Sequence, residues 1–197
     1  MSMGTLISYF DKYLSLNSEE REVLSKRVVE RKIRRKQFIL QESDVCRHYT
    51  FVAAGCFKMY GADKKGNEHI IQFAAENDWI TDIGSFHSGK PSLLYIEAIE
   101  QSVILQLEKN DLIHLYTHFP NFNRNFRVII EDKYVELQNR VLQNISSTAE
   151  ERYLAFLDQY PLLSARLPNT QIAAYLGITP EFLSNIRQKI TKKKPYS

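Results

Sequence analysis

Gln171-Ile172-Ala173-Ala174-Tyr175-Leu176-Gly177-Ile178-Thr179-Pro180-Glu181-Phe182-Leu183-Ser184-Asn185-Ile186-Arg187-Gln188-Lys189-Ile190 spells two helices joined by a tight corner. Ile172 and Leu176 give the first helix a buried face, and the small Ala173 lets a second helix cross close above it. Gly177 supplies the positive φ that stops the first helix, and Ile178 plugs the corner. Thr179 can cap the second helix, with Pro180 at its first position and Glu181 near the positive end of the dipole. Leu183, Ile186 and Ile190 then face inward, leaving Glu181, Ser184, Asn185 and Gln188 outward. The pattern is a helix-turn-helix, whose outward face fits a DNA major groove. By residue type, Glu181 can accept from a cytosine amino group and Asn185 can pair with adenine, while Arg187, Lys189 and Lys192 to Lys194 suit phosphates. Phe182 can touch a thymine methyl or pack on the preceding helix.

Upstream, Ala149 to Tyr160 reads as a further helix ended by Pro161, and Leu162 to Leu167 as a connection. Before that, Pro120 opens a long helix in which Phe126, Ile130, Tyr134, Leu137, Val141 and Ile145 recur every three or four residues. Such a stripe needs an apolar cover. Its narrowness favours a seam with a second copy of the chain over packing on its own barrel, which makes Phe126, Ile130, Tyr134, Leu137 and Val141 the candidate dimer interface.

From Gln37 to Leu107 the pattern changes to short segments broken by turn residues. Phe38–Leu40, Tyr49–Val52, Cys56–Tyr60, His69–Phe73, Tyr95–Ile99 and Ser102–Leu105 look like strands, separated by Gly55, the turn Asp63–Asn67 and the stretch Gly84–Pro91. The spacing implies an antiparallel β-barrel or jelly roll. Leu112, Ile113 and Leu115 form a short helix after it. Residues 5–36 read as helical, the second helix opening at Ser18-Glu19-Glu20 and ending in Arg31, Lys32, Arg34, Arg35 and Lys36 as a solvated or polyanion-binding cluster. The fold class expected is α+β. A sensor domain (1–147), including a long helix at about 120–147, precedes a winged-helix-like DNA-binding domain (148–197), with little chain left for a carboxy-terminal wing.

Composition sets the frame. Of 197 residues, 44% are hydrophobic and 25% charged, the balance of an ordinary globular chain. The net charge of +3 lies in the last quarter: from Thr148 onward there are 7 basic and 4 acidic residues, against 19 and 19 before it. That suits a nucleic-acid contact or a solvated basic tail. No apolar run nears the roughly 20 residues of a membrane span, and Met1 to Asp11 lacks the pattern of a signal peptide, so a cytoplasmic protein is expected. Two cysteines, Cys46 and Cys56, are too few for a disulfide framework, a thiolate zinc site or a four-cysteine cluster.

This order of barrel, long helix and helix-turn-helix resembles the Crp/Fnr family of bacterial transcription regulators along nearly the whole chain. Phe51-Val52-Ala53-Ala54-Gly55-Cys56-Phe57-Lys58-Met59-Tyr60 is similar to the family's strand-glycine-strand motif, and Asn77-Asp78-Trp79-Ile80-Thr81-Asp82-Ile83-Gly84-Ser85-Phe86 occupies the place of its phosphate-binding cassette. The run Ile178-Thr179-Pro180-Glu181-Phe182-Leu183-Ser184 is similar to members common in Bacteroidetes. The resemblance implies a homodimer on double-stranded DNA, RNA polymerase as a candidate partner, and an effector pocket at Asp82, Ile83, Gly84, Ser85, Ser92 and Leu93. It implies DNA-binding residues at Thr179, Glu181, Ser184, Asn185, Arg187, Gln188, Lys189 and Lys192.

Departures narrow it. Members that bind cyclic AMP carry Gly-Glu and Arg-Ser pairs where this chain has Thr81-Asp82 and Ser92-Leu93, and the missing arginine removes the bidentate phosphate contact. The expected effector is therefore an unidentified small molecule other than cyclic AMP. The cysteine set of oxygen-sensing members is absent. Pro180 and Asn185 stand where well-known members carry arginines that read guanine, so their DNA site does not transfer. The rival readings are a cupin-like metal enzyme and an interaction module without DNA binding. For the first, His48, His69 and His87 lie on separate segments, and His114 and His118, four apart, lack the glutamate of a metalloprotease. No Gly-x-Ser-x-Gly, phosphate-binding glycine loop or dinucleotide fingerprint appears. A regulator with no enzymatic role, no metal and no cofactor is the reading that follows.

Overall fold

The basic run expected at the end of a helix lies instead in a strand, which holds Arg31 and Lys32, and in the turn after it, which holds Arg34, Arg35 and Lys36. Helices α1 (Ser2–Phe10) and α2 (Ser18–Arg27) form as expected, α2 opening on a capping box in which the Asn17 side chain accepts from the Glu20 amide and the Glu20 carboxylate accepts from the Asn17 amide. Helix α2 stops at Arg27, Val28 turns extended, and Val29–Ile33 becomes β1. Here the expectation of helix to residue 36 is corrected. Two consecutive β-branched valines favour extended backbone, and β8 (Ser102–Glu108) offers an open edge on which Val29 pairs with Gln106 and Ile33 with Ser102.

The computed structural model describes residues 2–193, the last by backbone only. Strands β2 (Phe38–Leu40), β3 (His48–Ala54), β4 (Phe57–Ala62), β5 (Glu68–Ala74), β6 (Asp78–Ile80) and β7 (Tyr95–Ala98) join β1 and β8 in two four-stranded sheets, ordered β1-β8-β3-β6 and β2-β7-β4-β5. The jelly roll expected from strand spacing is present. Two short pieces escaped the sequence reading: β6, and α3 (Ile83–Ser88), a six-residue helix capped by Asp82 and closed by Gly89 in the left-handed region. At Gly55 the backbone takes φ +94° against the sheet, and a Cβ there would stand 2.7 Å from Cα of Ser102, so only glycine fits.

The chain forms two units, one holding residues up to Gly61 with Ile71–Tyr134, the other holding Ala62–Ile70 and everything from Val135. In the first, α1, α4 (Lys109–His118) and the opening turns of α5 (Pro120–Ser146) cover one face of the β1-β8-β3-β6 sheet. An aromatic core fills the join: the Trp79 ring lies 5.1 Å from Phe51, 5.2 Å from Tyr49 and 5.1 Å from Phe126, and Phe122 stacks on Phe126 at 4.8 Å.

The second unit contains the tip of the β4–β5 hairpin, the later turns of α5, α6 (Ala149–Gln159), a 3-10 turn (Leu163–Ala165), α7 (Asn169–Leu176) and α8 (Pro180–Lys193). Thr148 and Glu151 make a capping box at the start of α6. Phe156 packs 5.5 Å from Tyr175, and Tyr153, Leu163, Ile172 and Leu183 are buried around them. No described strand follows Glu108.

Candidate nucleic-acid interface

Gly177 adopts φ +67°, ending α7 where the sequence requires, and the Ile178 amide donates back to the Ala173 carbonyl at 3.1 Å. The Thr179 hydroxyl accepts from the Phe182 amide at 3.2 Å, so it caps α8 as its position in the sequence implies. Leu183 and Ile186 are buried and Ile190 half-buried. On the far side Glu181, Asn185, Gln188 and Lys192 are all exposed. At about 100° per residue these four fall within about 60° of one another and roughly opposite the buried trio, so they form one outward stripe.

The other expected DNA contacts are placed differently. Ser184 is half-buried on one flank, and Phe182 is exposed on the other, not buried against α7. The Arg187 guanidinium donates to the Asn169 side chain at the start of α7, and Lys189 Nζ lies 2.6 Å from a Glu150 carboxylate oxygen on α6. These two cations thus engage their own module. Lys194 and the side chain of Lys193 lie outside the described residues.

Along α5 the expected stripe splits in two. Phe126 is only 1% exposed, locked in the aromatic core, and the assignment of Phe126 to a dimer seam is corrected: its ring is consumed by Trp79, Tyr49 and Phe122. From Ile130 onward the stripe is open, with Ile130, Tyr134, Leu137, Val141 and Ile145 all exposed, the last by 80%. Val135 and Leu142, which do not belong to the narrow stripe, are exposed beside it and widen the apolar face.

At the cassette, the polar groups are turned on one another. Asp82 accepts from the Ser92 hydroxyl at 2.6 Å and from the Ser85 amide at 3.1 Å. Ser85 in turn donates to the Lys90 carbonyl and accepts from the Cys46 amide. The structure thus brings together Asp82, Ser85 and Ser92, while Ile83, Gly84 and Leu93 face solvent.

Known proteins carry the same architecture. Residues 30–119 match the cyclic nucleotide-binding domain. A probable transcriptional regulator, Flp, of Lacticaseibacillus casei is 24% identical over 190 residues, covering 92% of this chain and 85% of that one. Among solved structures, a mutant of CooA from Carboxydothermus hydrogenoformans superposes with a TM-score of 0.72 at 20% identity, over 87% of this chain and 79% of the other. FixK2 from Bradyrhizobium japonicum gives 0.72 at 20% identity over 84% and 85%. A regulator assigned to the crp/fnr family from Eubacterium rectale gives 0.70 at 14% identity over 94% and 88%. The chain shares its fold with these regulators, and residues 30–119 carry the likeness to the cyclic nucleotide-binding domain.

Two features of the chain were beyond sequence reasoning. Glu150 and Asn169, which hold Lys189 and Arg187, carry no signal of their own, since their partners are 39 and 18 residues away. Arg140 reads as one more cation on a long helix, yet its guanidinium lies 3.9 Å from the centre of the Tyr175 ring. Among the described residues no three His, Cys, Asp or Glu side chains gather as a metal site. His69 faces Asp63 at 3.5 Å, His48 faces Glu108 at 4.0 Å, and His114 and His118 stack on each other at 4.2 Å. No helix among the described residues is long and apolar enough to cross a membrane.

Proposed function

We propose that the chain is a homodimeric, DNA-binding transcription regulator of the Crp/Fnr type, acting in the cytoplasm and without enzymatic activity of its own. The observation that carries this is the α8 stripe of Glu181, Asn185, Gln188 and Lys192, presented outward by a glycine-cornered, threonine-capped helix-turn-helix. A carboxylate, an amide and a further amide can read base edges, and the lysine beyond them suits a phosphate. On this reading the functional division of the chain falls near residue 148, with the DNA-binding module after it.

The exposed apolar face of α5 supports the dimer: a row from Ile130 to Ile145 on a helix of 27 residues is what a second copy would cover. Two-fold pairing would present one α8 from each protomer to the duplex. RNA polymerase is a candidate further partner. Selection of bound sequences from random DNA tests the proposal. Enrichment of a near-palindromic site supports it, and binding that stays indifferent to sequence at every salt concentration defeats it.

A further inference from the structure

A cavity of about 260 Å³ opens between the two sheets of the first unit. One sheet supplies Arg31 from β1, His48 and Thr50 from β3 and Gln106 from β8; the other supplies Ile39 and Leu40 from β2 and Ile96 from β7. The loop before β3 closes it with Asp44, Val45, Cys46 and Arg47. None of the cassette residues Asp82 to Ser85, nor Ser92 or Leu93, lines it.

Its inner wall is prearranged. The Gln106 amide donates to the buried Thr50 hydroxyl at 3.1 Å, and its carbonyl oxygen accepts from Arg31 at 2.9 Å. This fixes one corner of the Arg31 guanidinium and leaves its other N–H groups for a ligand. Neither Arg31 nor Arg47 forms an ion pair among the described residues, while Leu40 and Ile96 give the cavity a buried apolar floor. His48 sits between the charges: burial chiefly lowers its pKa, the nearby Arg31 and Arg47 lower it further, and Glu108 opposes them. Asp44 is the one carboxylate in the lining. Two guanidinium groups without a carboxylate partner and a histidine thus converge on a half-apolar cleft.

We propose that this cavity binds a small organic acid, its carboxylate held by Arg31 and Arg47 and its apolar body set against Leu40 and Ile96. Arginine forks match carboxylates bidentately, and a basic apolar-floored cleft selects an acid with a compact hydrocarbon part over a bare inorganic anion. The volume lies below the roughly 300–1,000 Å³ of sites for drug-sized ligands, which limits the body to about one ring or a short chain. The site is independent of the DNA-binding reading, because occupancy is measured without DNA.

The test uses the full chain and benzoate, with the neutral isostere benzamide and inorganic phosphate as controls. The His48 ring protons, assigned by their disappearance in His48→Gln, are followed by NMR through each titration. Benzoate is expected to shift them saturably and to raise the His48 pKa, since an anion beside the ring favours its protonated form. Benzamide and phosphate should do far less. Arg31→Gln and Arg47→Gln alter exposed side chains, so the fold should persist, and each should weaken benzoate by roughly tenfold or more. Equal response to benzoate and benzamide, no saturable response to benzoate, or unchanged affinity in both arginine variants would overturn the proposal.

Discussion

The Arg140 guanidinium sits over the Tyr175 ring, 3.9 Å from its centre, and the same side chain donates to the Tyr175 carbonyl at 3.2 Å and to the Ile70 carbonyl at 2.8 Å. All three residues belong to the second unit. One side chain of α5 therefore holds both the end of α7, two residues before Gly177, and the base of the β4–β5 hairpin tip. Arginine can do this because its planar fork combines a stacking face with several donors.

Arg140→Ala should loosen α7 by leaving two carbonyls without their donor and removing the cation–π interaction, at a cost of about 1–3 kcal/mol. Amide exchange at Tyr175 and Leu176 reads this directly, and both should speed up. Arg140→Lys should recover only part of the protection, because a lysine ammonium cannot reproduce the fork. Exchange rates equal to those of the parent chain in both variants would show that the clamp does not restrain α7.

The split of the α5 stripe gives a paired prediction. Leu137→Glu with Val141→Glu places charges on the exposed seam and should yield folded monomers by solution scattering, since an unpaired charge in a buried interface costs more than the removal of apolar packing. Phe126→Ala empties a fully buried ring site and should lower stability by about 3–5 kcal/mol. Its dimer affinity should match that of the parent chain at a temperature where it remains folded. Folded dimers in the glutamate variant, or a dimer defect confined to Phe126→Ala, would assign the seam to the wrong half of the helix.

The helix-turn-helix was legible residue by residue because every requirement there is local: Gly177 for φ, Thr179 for the cap, Leu183 and Ile186 for the buried side. The strand β1 was hidden for a physical reason. Val29 to Lys32 are all exposed and only Ile33 is buried, so the alternation that marks a half-buried strand is missing, and five residues after a helix continue to look helical. What makes them a strand is the edge of β8, a partner some 70 residues away. The same distance effect concealed Phe126. Helical spacing places it in line with Ile130 and Tyr134, but only the folded sheet shows that Trp79 and Tyr49 have already claimed its ring.

Asp63 links the hairpin turn to pH. Its carboxylate accepts from the Asn67 side chain at 2.8 Å, from the Asn67 amide at 2.9 Å and from the Lys65 amide at 2.8 Å, with His69 alongside. These bonds, led by the Asn67 side chain, lower its pKa to about 2. A depressed carboxyl pKa means the turn is stabilised above the ordinary value of 3.8 and loses that contribution as the pH falls through about 2. The Asp63 carboxyl resonance should titrate near 2, and Asn67→Ala should move it back toward 3.8. Titration at the ordinary value in the parent chain would contradict the turn.

The last prediction separates reading from anchoring on DNA. Two α8 helices related by a dimer axis should enter successive major grooves roughly 34 Å apart, giving a near-palindrome with half-site centres about 10 base pairs apart. Asn185 lies in the middle of the outward stripe, so Asn185→Ala should relax preference at one symmetric pair of positions by about 1–3 kcal/mol for each bidentate pairing it makes. Lys192 follows it on the same stripe, and Lys192→Gln should weaken all sequences alike and flatten the log–log salt dependence by roughly 0.9 for each phosphate the lysine neutralises. Lys189 is held by Glu150 on α6, so Lys189→Gln should change the salt slope less than Lys192→Gln does. A salt slope altered by Lys189→Gln and untouched by Lys192→Gln would mean that the Glu150 pair opens on DNA and that the stripe turned to the duplex is a different one. A site preference left intact by Asn185→Ala would remove Asn185 from the reading surface.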